Sequence, residues 1–270
     1  MNILLSINRG YLPHFYVTVH SICESNGEYG LHFYVMHNDL TPSDCETIAQ
    51  SFPMASFSYI RMNESCLSRF PKVKRYPYTI YYRIFASEYL PKEMDRILYL
   101  DCDLVVHNDL KSFYESDFNG NIFIACSNIG KAMMAFNRLR LGLPKDYRYM
   151  NTGVMLINLA EYRIALDTEA IRKYTLANKW KLMLYDQDIL CKFYGNRIKM
   201  EKTSVYNLSD RYISWHKKEN ITAEWVRKNN VIIHYIGKNK PWKPKYRGIL
   251  AEYYLTNQEK VKNFAIAKTE

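Results

Sequence analysis

The sequence predicts an α/β fold: an open, mostly parallel sheet with helices on both faces. Three observations predict it. Short apolar runs alternate with amphipathic segments through the first half of the 270 residues. Helix-opening chemistry falls between those runs. No internal repeat, long linker or low-complexity tract divides the chain.

Taken in order, residues 3–7 read as a buried strand, and Phe15, Val19, Ile22 and Cys23 then recur at helical spacing. Residues 31–36 are a second strand. Thr41-Pro42-Ser43-Asp44 opens a helix, with threonine as N-cap, proline at the first helical position and an acid in the first turn. Residues 57–60 form a third strand, 80–90 a helix and 96–100 a strand. Two later strands fall at 122–126 and 154–159, a helix at 161–179, and another helix running from a cap at Asp186 through Leu190 and Phe193. Residues 231–236 are a late strand and a terminal helix follows Gly248. The organisation expected is one domain over residues 1–247 with a helical extension at 248–270.

Hydrophobic residues make up 48% and charged residues 24%, within the range of globular domains. The 24 tyrosines supply flat faces with a hydroxyl, suited to sugars and nucleobases. The net charge of +10 fits phosphorylated ligands or an anionic membrane as well as nucleic acid. No nucleic-acid motif accompanies it, so no nucleic-acid partner is expected. Six cysteines without a C-x-x-C pair argue against a zinc site and for a reducing compartment. The apolar N-terminus is too short for a signal-peptide core, and no run reaches membrane-spanning length. A cytoplasmic protein is expected, with peripheral contact to an anionic membrane allowed.

Open sheets of this kind bind ligands beyond the carboxyl ends of their strands. Asp101-Cys102-Asp103 interrupts an apolar run from Ile97 to Val106. Acids two apart project to one side of an extended chain, and a buried pair requires a cation or strong donors. Hard oxygens suit Mn²⁺ or Mg²⁺. The plainer alternative is two solvated acids at a strand-to-loop turn. Downstream, His234 sits inside an apolar strand and is followed by Gly237, Lys240, Pro241 and Trp242. The histidine can supply a nitrogen ligand, the glycine permits close approach of the backbone to a phosphate, and the lysine offers a point charge. A core histidine before a basic surface loop is the alternative. Asn151-Thr152-Gly153 and Asp186-Gln187-Asp188 carry side chains that hydrogen-bond sugar hydroxyls. Singly, Asp186 reads as a helix cap and Asn151 as a turn residue.

In order and spacing, these motifs resemble glycosyltransferase family 8, the family of bacterial lipopolysaccharide galactosyl- and glucosyltransferases and of glycogenin. The resemblance runs from the N-terminal strand and Gly10-Tyr11-Leu12-Pro13, through Tyr82-Arg83 and Arg96 to Asp103, to Trp242. It implies the Rossmann-like GT-A fold and a retaining transfer of galactose or glucose from a UDP-sugar to a saccharide or glycolipid acceptor. By resemblance Asp101, Asp103 and His234 bind the metal, and Gly237 and Lys240 hold the diphosphate. Arg83, Asn151, Thr152, Asp186 and Gln187 surround the donor sugar, with Asp186 and Gln187 the catalytic candidates. Ser6, Asn8 and Tyr11 lie against the uridine, and Cys102 belongs to the same donor-binding strip.

This chain departs from the family pattern at two places. Asn8 stands where many relatives carry aspartate; its carbonyl can still accept the uracil N3–H. Thr152 stands where alanine is frequent, and either crowds the sugar or hydrogen-bonds it. Beside Asn8, Arg9 is free to meet the diphosphate or to be solvated. The basic, aromatic stretches 71–79 and 237–247 are candidates for the acceptor side, and residues 131–149 for a lid. The competing reading is a non-catalytic nucleotide-sugar-binding module of the same fold. A dehydrogenase is a poor fit, since no G-x-G-x-x-G follows the first strand.

Overall fold

The computed structural model describes residues 1–71 and 77–266. Strand β1 (Asn2–Ser6) leads into helix α1 (Leu12–Asn26), β2 (His32–His37), α2 (Pro42–Ser51) and β3 (Ser56–Arg61). The opening of α2 is a capping box. The Thr41 hydroxyl accepts from the Asp44 N–H at 3.1 Å, and the Asp44 carboxylate accepts from the Thr41 N–H at 2.8 Å. Helix α3 (Thr79–Phe85) stops short of residue 90 and gives way to a single 3₁₀ turn. Then come β4 (Arg96–Leu100), β5 (Leu104–Val106), α4 (Lys111–Tyr114), β6 (Phe123–Ala125), α5 (Lys131–Leu141) and β7 (Val154–Asn158).

The helix expected over 161–179 is two helices, α6 (Leu159–Ala165) and α7 (Thr168–Ala177). The break lies at Leu166 and Asp167. The Asp167 side chain accepts from the Ala170 N–H at 2.9 Å and starts α7 afresh. Helix α8 (Tyr185–Tyr194), β8 (Ile198–Met200), α9 (Thr203–Tyr206), α10 (Asp210–Trp215), α11 (Ala223–Asn229), β9 (Ile232–His234) and α12 (Ala251–Ile266) complete the chain.

Seven strands form one sheet in the order β3-β2-β1-β4-β7-β6-β8. Only β7 runs against its neighbours, pairing antiparallel with β4 and β6; the other pairings are parallel. Strand β1 shows why its run is apolar throughout. Ile3 and Leu5 pack with Phe15 and Ile22 of α1, whereas Leu4 packs on the opposite face with Tyr81 and Tyr82 of α3. Strands β5 and β9 form a separate antiparallel pair, so the run at 231–236 contributes to this small sheet rather than to the large one. Helix α12 folds back on α1 and buries Tyr254 and Val261.

Candidate active site

Chain order along the sheet reverses between β1 and β4, and the carboxyl ends of those two strands open into a cleft of about 1000 Å³. Ser6, Asn8, Tyr11, Arg83, Asp101, Cys102, Asp103, His234, Gly237 and Lys240 line it. Asn151, Thr152, Asp186 and Gln187 attach to it through hydrogen bonds. Arg83 donates to the Thr152 carbonyl at 2.8 Å, the Thr152 hydroxyl donates to Asp186 at 2.8 Å, and Asn151 Nδ2 lies 3.5 Å from Gln187 Oε1.

Directly after β4 the chain turns its two acids to the cleft, while Cys102 is buried in the apolar core between Leu100 and Leu104. Burial holds the Cys102 thiol well above its ordinary value. Asp103 meets His234 because β5 and β9 pair in register: Leu104 is opposite His234, and the Tyr235 N–H donates to the Asp103 carbonyl at 3.0 Å. His234 Nε2 lies 3.1 Å from Asp103 Oδ1 and 3.8 Å from Asp101 Oδ2. Each of the three residues offers a ligand atom, and these atoms fall within 4.8 Å of one another. An imidazole lone pair and a carboxylate oxygen at 3.1 Å repel each other unless a proton or cation stands between them. Two carboxylates and an imidazole fit Mn²⁺, and the oxygens alone fit Mg²⁺.

Each acid also has a cationic partner. Arg83 pairs with Asp101 at 2.8 Å, and the Lys240 ammonium pairs with Asp103. Burial would raise the Asp103 carboxyl, but the Lys240 ammonium, foremost, and the His234 ring beside it outweigh that effect. They hold the group well below the usual carboxylate range. Gly153 makes the gathering sterically possible. A Cβ there would stand 2.3 Å from His234 Cε1 and 2.6 Å from Asp101 Oδ2.

Arg83, itself buried, reaches Asp186 as well. Its Nε lies 3.3 Å from Asp186 Oδ2, close enough to pair but not aligned as a hydrogen bond. Burial raises the Asp186 carboxyl above its ordinary value despite the Arg83 charge and the Thr152 hydroxyl. Asp186 does not cap α8. It lies within the first turn, and Asp188 instead accepts the Met183 and Leu184 N–H groups at 2.7 and 3.1 Å.

At the other end of the cleft the Ser6 hydroxyl is buried without a hydrogen-bond partner, an unmet group that a ligand can satisfy. Tyr11 stands edge-on to His14 and Trp242, with ring centroids 4.8 and 6.2 Å away. His14 stacks on Trp242 at 3.7 Å, which fixes the loop carrying Lys240 against α1. Gly237 has φ +87°, a conformation that favours glycine. Arg9 points elsewhere: it pairs with Asp44 at 3.0 Å.

Residues 131–149, the stretch expected as a lid, lie away from the cleft in this structure. None of them lines the cleft, and their loop is fastened elsewhere by the Arg138 bond to the Lys145 carbonyl and the Arg148 N–H bond to the Gly195 carbonyl, both at 2.7 Å. Of the acceptor stretches, Pro77, Thr79 and residues 237–240 line the cleft, while 72–76 lie outside the described residues. The steric role of Gly153, the binding of Asp188 to Arg140 and Tyr149, and Asn207 altogether are not expected from the sequence. The first two lie inside motifs already singled out. Asn207 bears no signal beyond a lone amide between Tyr206 and Leu208.

Comparison with known proteins identifies the family and the fold. A model of glycosyl transferase family 8 matches residues 2–245. The lipopolysaccharide 1,2-glucosyltransferase of Escherichia coli K12 is 24% identical over 249 residues, covering 90% of this chain and 72% of that one. The lipopolysaccharide 1,3-galactosyltransferase of Salmonella typhimurium LT2 is 24% identical over 270 residues, covering 94% and 76%. The crystal structure of the galactosyltransferase LgtC in complex with donor and acceptor sugar analogs has a TM-score of 0.84 at 20% identity, covering 98% of this chain and all of that one. That likeness establishes the GT-A fold. With the family model spanning nearly the whole chain and the acids, imidazole and lysine gathered at one cleft, the chain belongs to glycosyl transferase family 8.

Proposed function

We propose that this family 8 glycosyltransferase is a metal-dependent retaining enzyme that moves glucose or galactose from a UDP-sugar to a saccharide or glycolipid acceptor. The observation that carries the proposal is the convergence of Asp101, Asp103 and His234, with Lys240 beside them, at the end of a cleft large enough for a nucleotide sugar. The two lipopolysaccharide hexosyltransferases among its relatives, one for glucose and one for galactose, support the donor class. Residues 1–247 would be the catalytic domain and the segment from 248, helical over Ala251–Ile266, an extension whose residues 267–270 lie outside the described residues.

In the reaction the bond between the anomeric carbon and the β-phosphate oxygen breaks, and its electron pair leaves with UDP. The acceptor hydroxyl oxygen bonds to that carbon, and its proton passes to the departing phosphate in a same-face attack. Bound Mn²⁺ or Mg²⁺ would supply a positive centre for the diphosphate charge. Lys240 adds a second positive group as that charge grows. Arg83 ties the Asp101 side of the cleft to the sugar-side group of Asn151, Thr152, Asp186 and Gln187, and so orients the donor. Asp186 and Gln187 are the catalytic candidates on that side. Ser6, Asn8 and Tyr11 form the uridine end.

Peripheral membrane contact and a cytoplasmic location complete the reading. Among the described residues no helix is long and apolar enough to cross a membrane. Trp180, exposed to 90%, lies between the exposed Lys179 and Lys181, a combination suited to an anionic bilayer surface.

The test is UDP release from UDP-glucose and UDP-galactose, with and without Mn²⁺, in wild type and Asp103→Ala. Metal-dependent release lost in the variant is expected. Tight UDP-sugar binding without release or transfer, across a panel of saccharide acceptors, would establish the non-catalytic binding module instead.

A further inference from the structure

The orientation of His234 is fixed by a run of hydrogen bonds that begins at a donor whose identity is unambiguous. The Gly153 backbone N–H donates to Asn151 Oδ1 at 3.1 Å. The second group at that oxygen is the Asn207 amide, 3.0 Å away, which must therefore present its nitrogen. This turns the Asn207 carbonyl oxygen toward His234, 3.0 Å from Nδ1, where it also accepts from Asn128 Nδ2 at 3.1 Å. A carbonyl oxygen can only accept, so His234 Nδ1 carries a hydrogen. The other ring nitrogen, Nε2, is the one that faces Asp101 and Asp103.

We infer that Asn207 is a positioning residue that selects the Nδ1–H form of His234 and aims its Nε2 at the two carboxylates. Asn207 has no solvent exposure and His234 only 3%, so water cannot take over the role. The chain places Asn207 there by pairing Leu208 with β9: the Leu208 N–H donates to the Ile232 carbonyl at 3.0 Å, and the His234 N–H to the Leu208 carbonyl at 2.7 Å. The same amide joins the metal-ligand group to Asn151 and, through it, toward Gln187 on the sugar side. Aspartate at 207 could accept from Nδ1 but not donate to Asn151, setting two oxygens against each other. A residue without an acceptor would leave the Nδ1–H buried and unmet, free to exchange for the opposite tautomer.

The metal half of this inference rests on the reading of the site as metal-dependent; the tautomer does not. The experiment therefore has two readouts. Nitrogen-15 NMR of histidine-labelled protein, with the His234 signals identified by their loss in His234→Gln, reports which ring nitrogen is protonated. Titration of Mn²⁺ followed by electron paramagnetic resonance, with UDP present, reports affinity. Wild type is expected to show Nδ1–H. Asn207→Leu should lose that signature and bind Mn²⁺ about ten- to a hundredfold more weakly. Asn207→Asp, close in size, should keep Nδ1–H while weakening Mn²⁺ less than the leucine variant. An Nε2–H form in wild type, or unchanged tautomer in a folded Asn207→Leu, would overturn the assignment. Wild-type protein that shows Nδ1–H but binds no Mn²⁺ would remove the metal reading and leave the tautomer assignment standing.

Discussion

Asp188 receives both terminal nitrogens of Arg140, at 2.7 and 2.8 Å, from a position with no solvent exposure. Tyr149 donates to it at 2.6 Å, and the Met183 and Leu184 N–H groups complete its coordination. The carboxylate thus pins α5 and the loop before α8 at once. Removing one member of a buried pair strands the other. Asp188→Ala is expected to lower stability by about 3–5 kcal/mol. Urea unfolding checks this, and adding Arg140→Met to it should cost much less than the two single changes summed.

Gly153 is the steric condition for bringing Asp101 and His234 together. Gly153→Ala should weaken Mn²⁺ binding by at least about tenfold, since either His234 or Asp101 must yield to the new methyl group. Gly130→Ala, where a Cβ meets nothing within 4 Å, should leave it unchanged. Electron paramagnetic resonance titration compares the two.

Arg83 contacts Asp101, Asp186 and the Thr152 carbonyl together. Lysine offers a single ammonium and cannot span all three. Arg83→Lys should reduce the rate of UDP release about ten- to a hundredfold, equivalent to losing one charge-assisted hydrogen bond. Steady-state kinetics on UDP-glucose and UDP-galactose measure it, with thermal unfolding to establish that the variant is folded.

Burial pulls the His14 ring down to about 4; Asp103 works against this and Lys240 with it. Its value in the unfolded chain is about 6.5, so between those two values the folded state holds fewer protons than the unfolded one. This contribution to stability is present above pH ~6.5 and lost as pH falls toward 4. A fully buried ring would contribute about 3 kcal/mol; solvent screening of this partly exposed one reduces that to about 1–2 kcal/mol. Urea unfolding from pH 4 to 7 should therefore show a shallower dependence in His14→Gln than in wild type.

Residues that break a strong local pattern were legible in the sequence. Asp101 and Asp103 interrupt an apolar strand, and Thr41-Pro42-Ser43-Asp44 spells out its own capping box. The main strands were legible for the same reason, since their runs are buried on both faces. What escaped depends on tertiary pairing. Strand β8 is three residues long and exists through its pairing with β6. The break between α6 and α7 hides inside continuous helical periodicity. The Thr152 hydroxyl donates to Asp186, a partner 34 residues away that no local pattern signals. Asn207 acquires its meaning from a histidine 27 residues downstream.

The pairing of β5 with β9 has a consequence for how the enzyme comes into being. The two acids emerge from the ribosome 131 residues before the imidazole that faces them, counting from Asp103 to His234. The last strand of the seven-stranded sheet ends at Met200, ahead in sequence of the His234 wall of the cleft. The group of Asp101, Asp103 and His234 therefore cannot assemble before residue 234 has been made, after every strand of the large sheet.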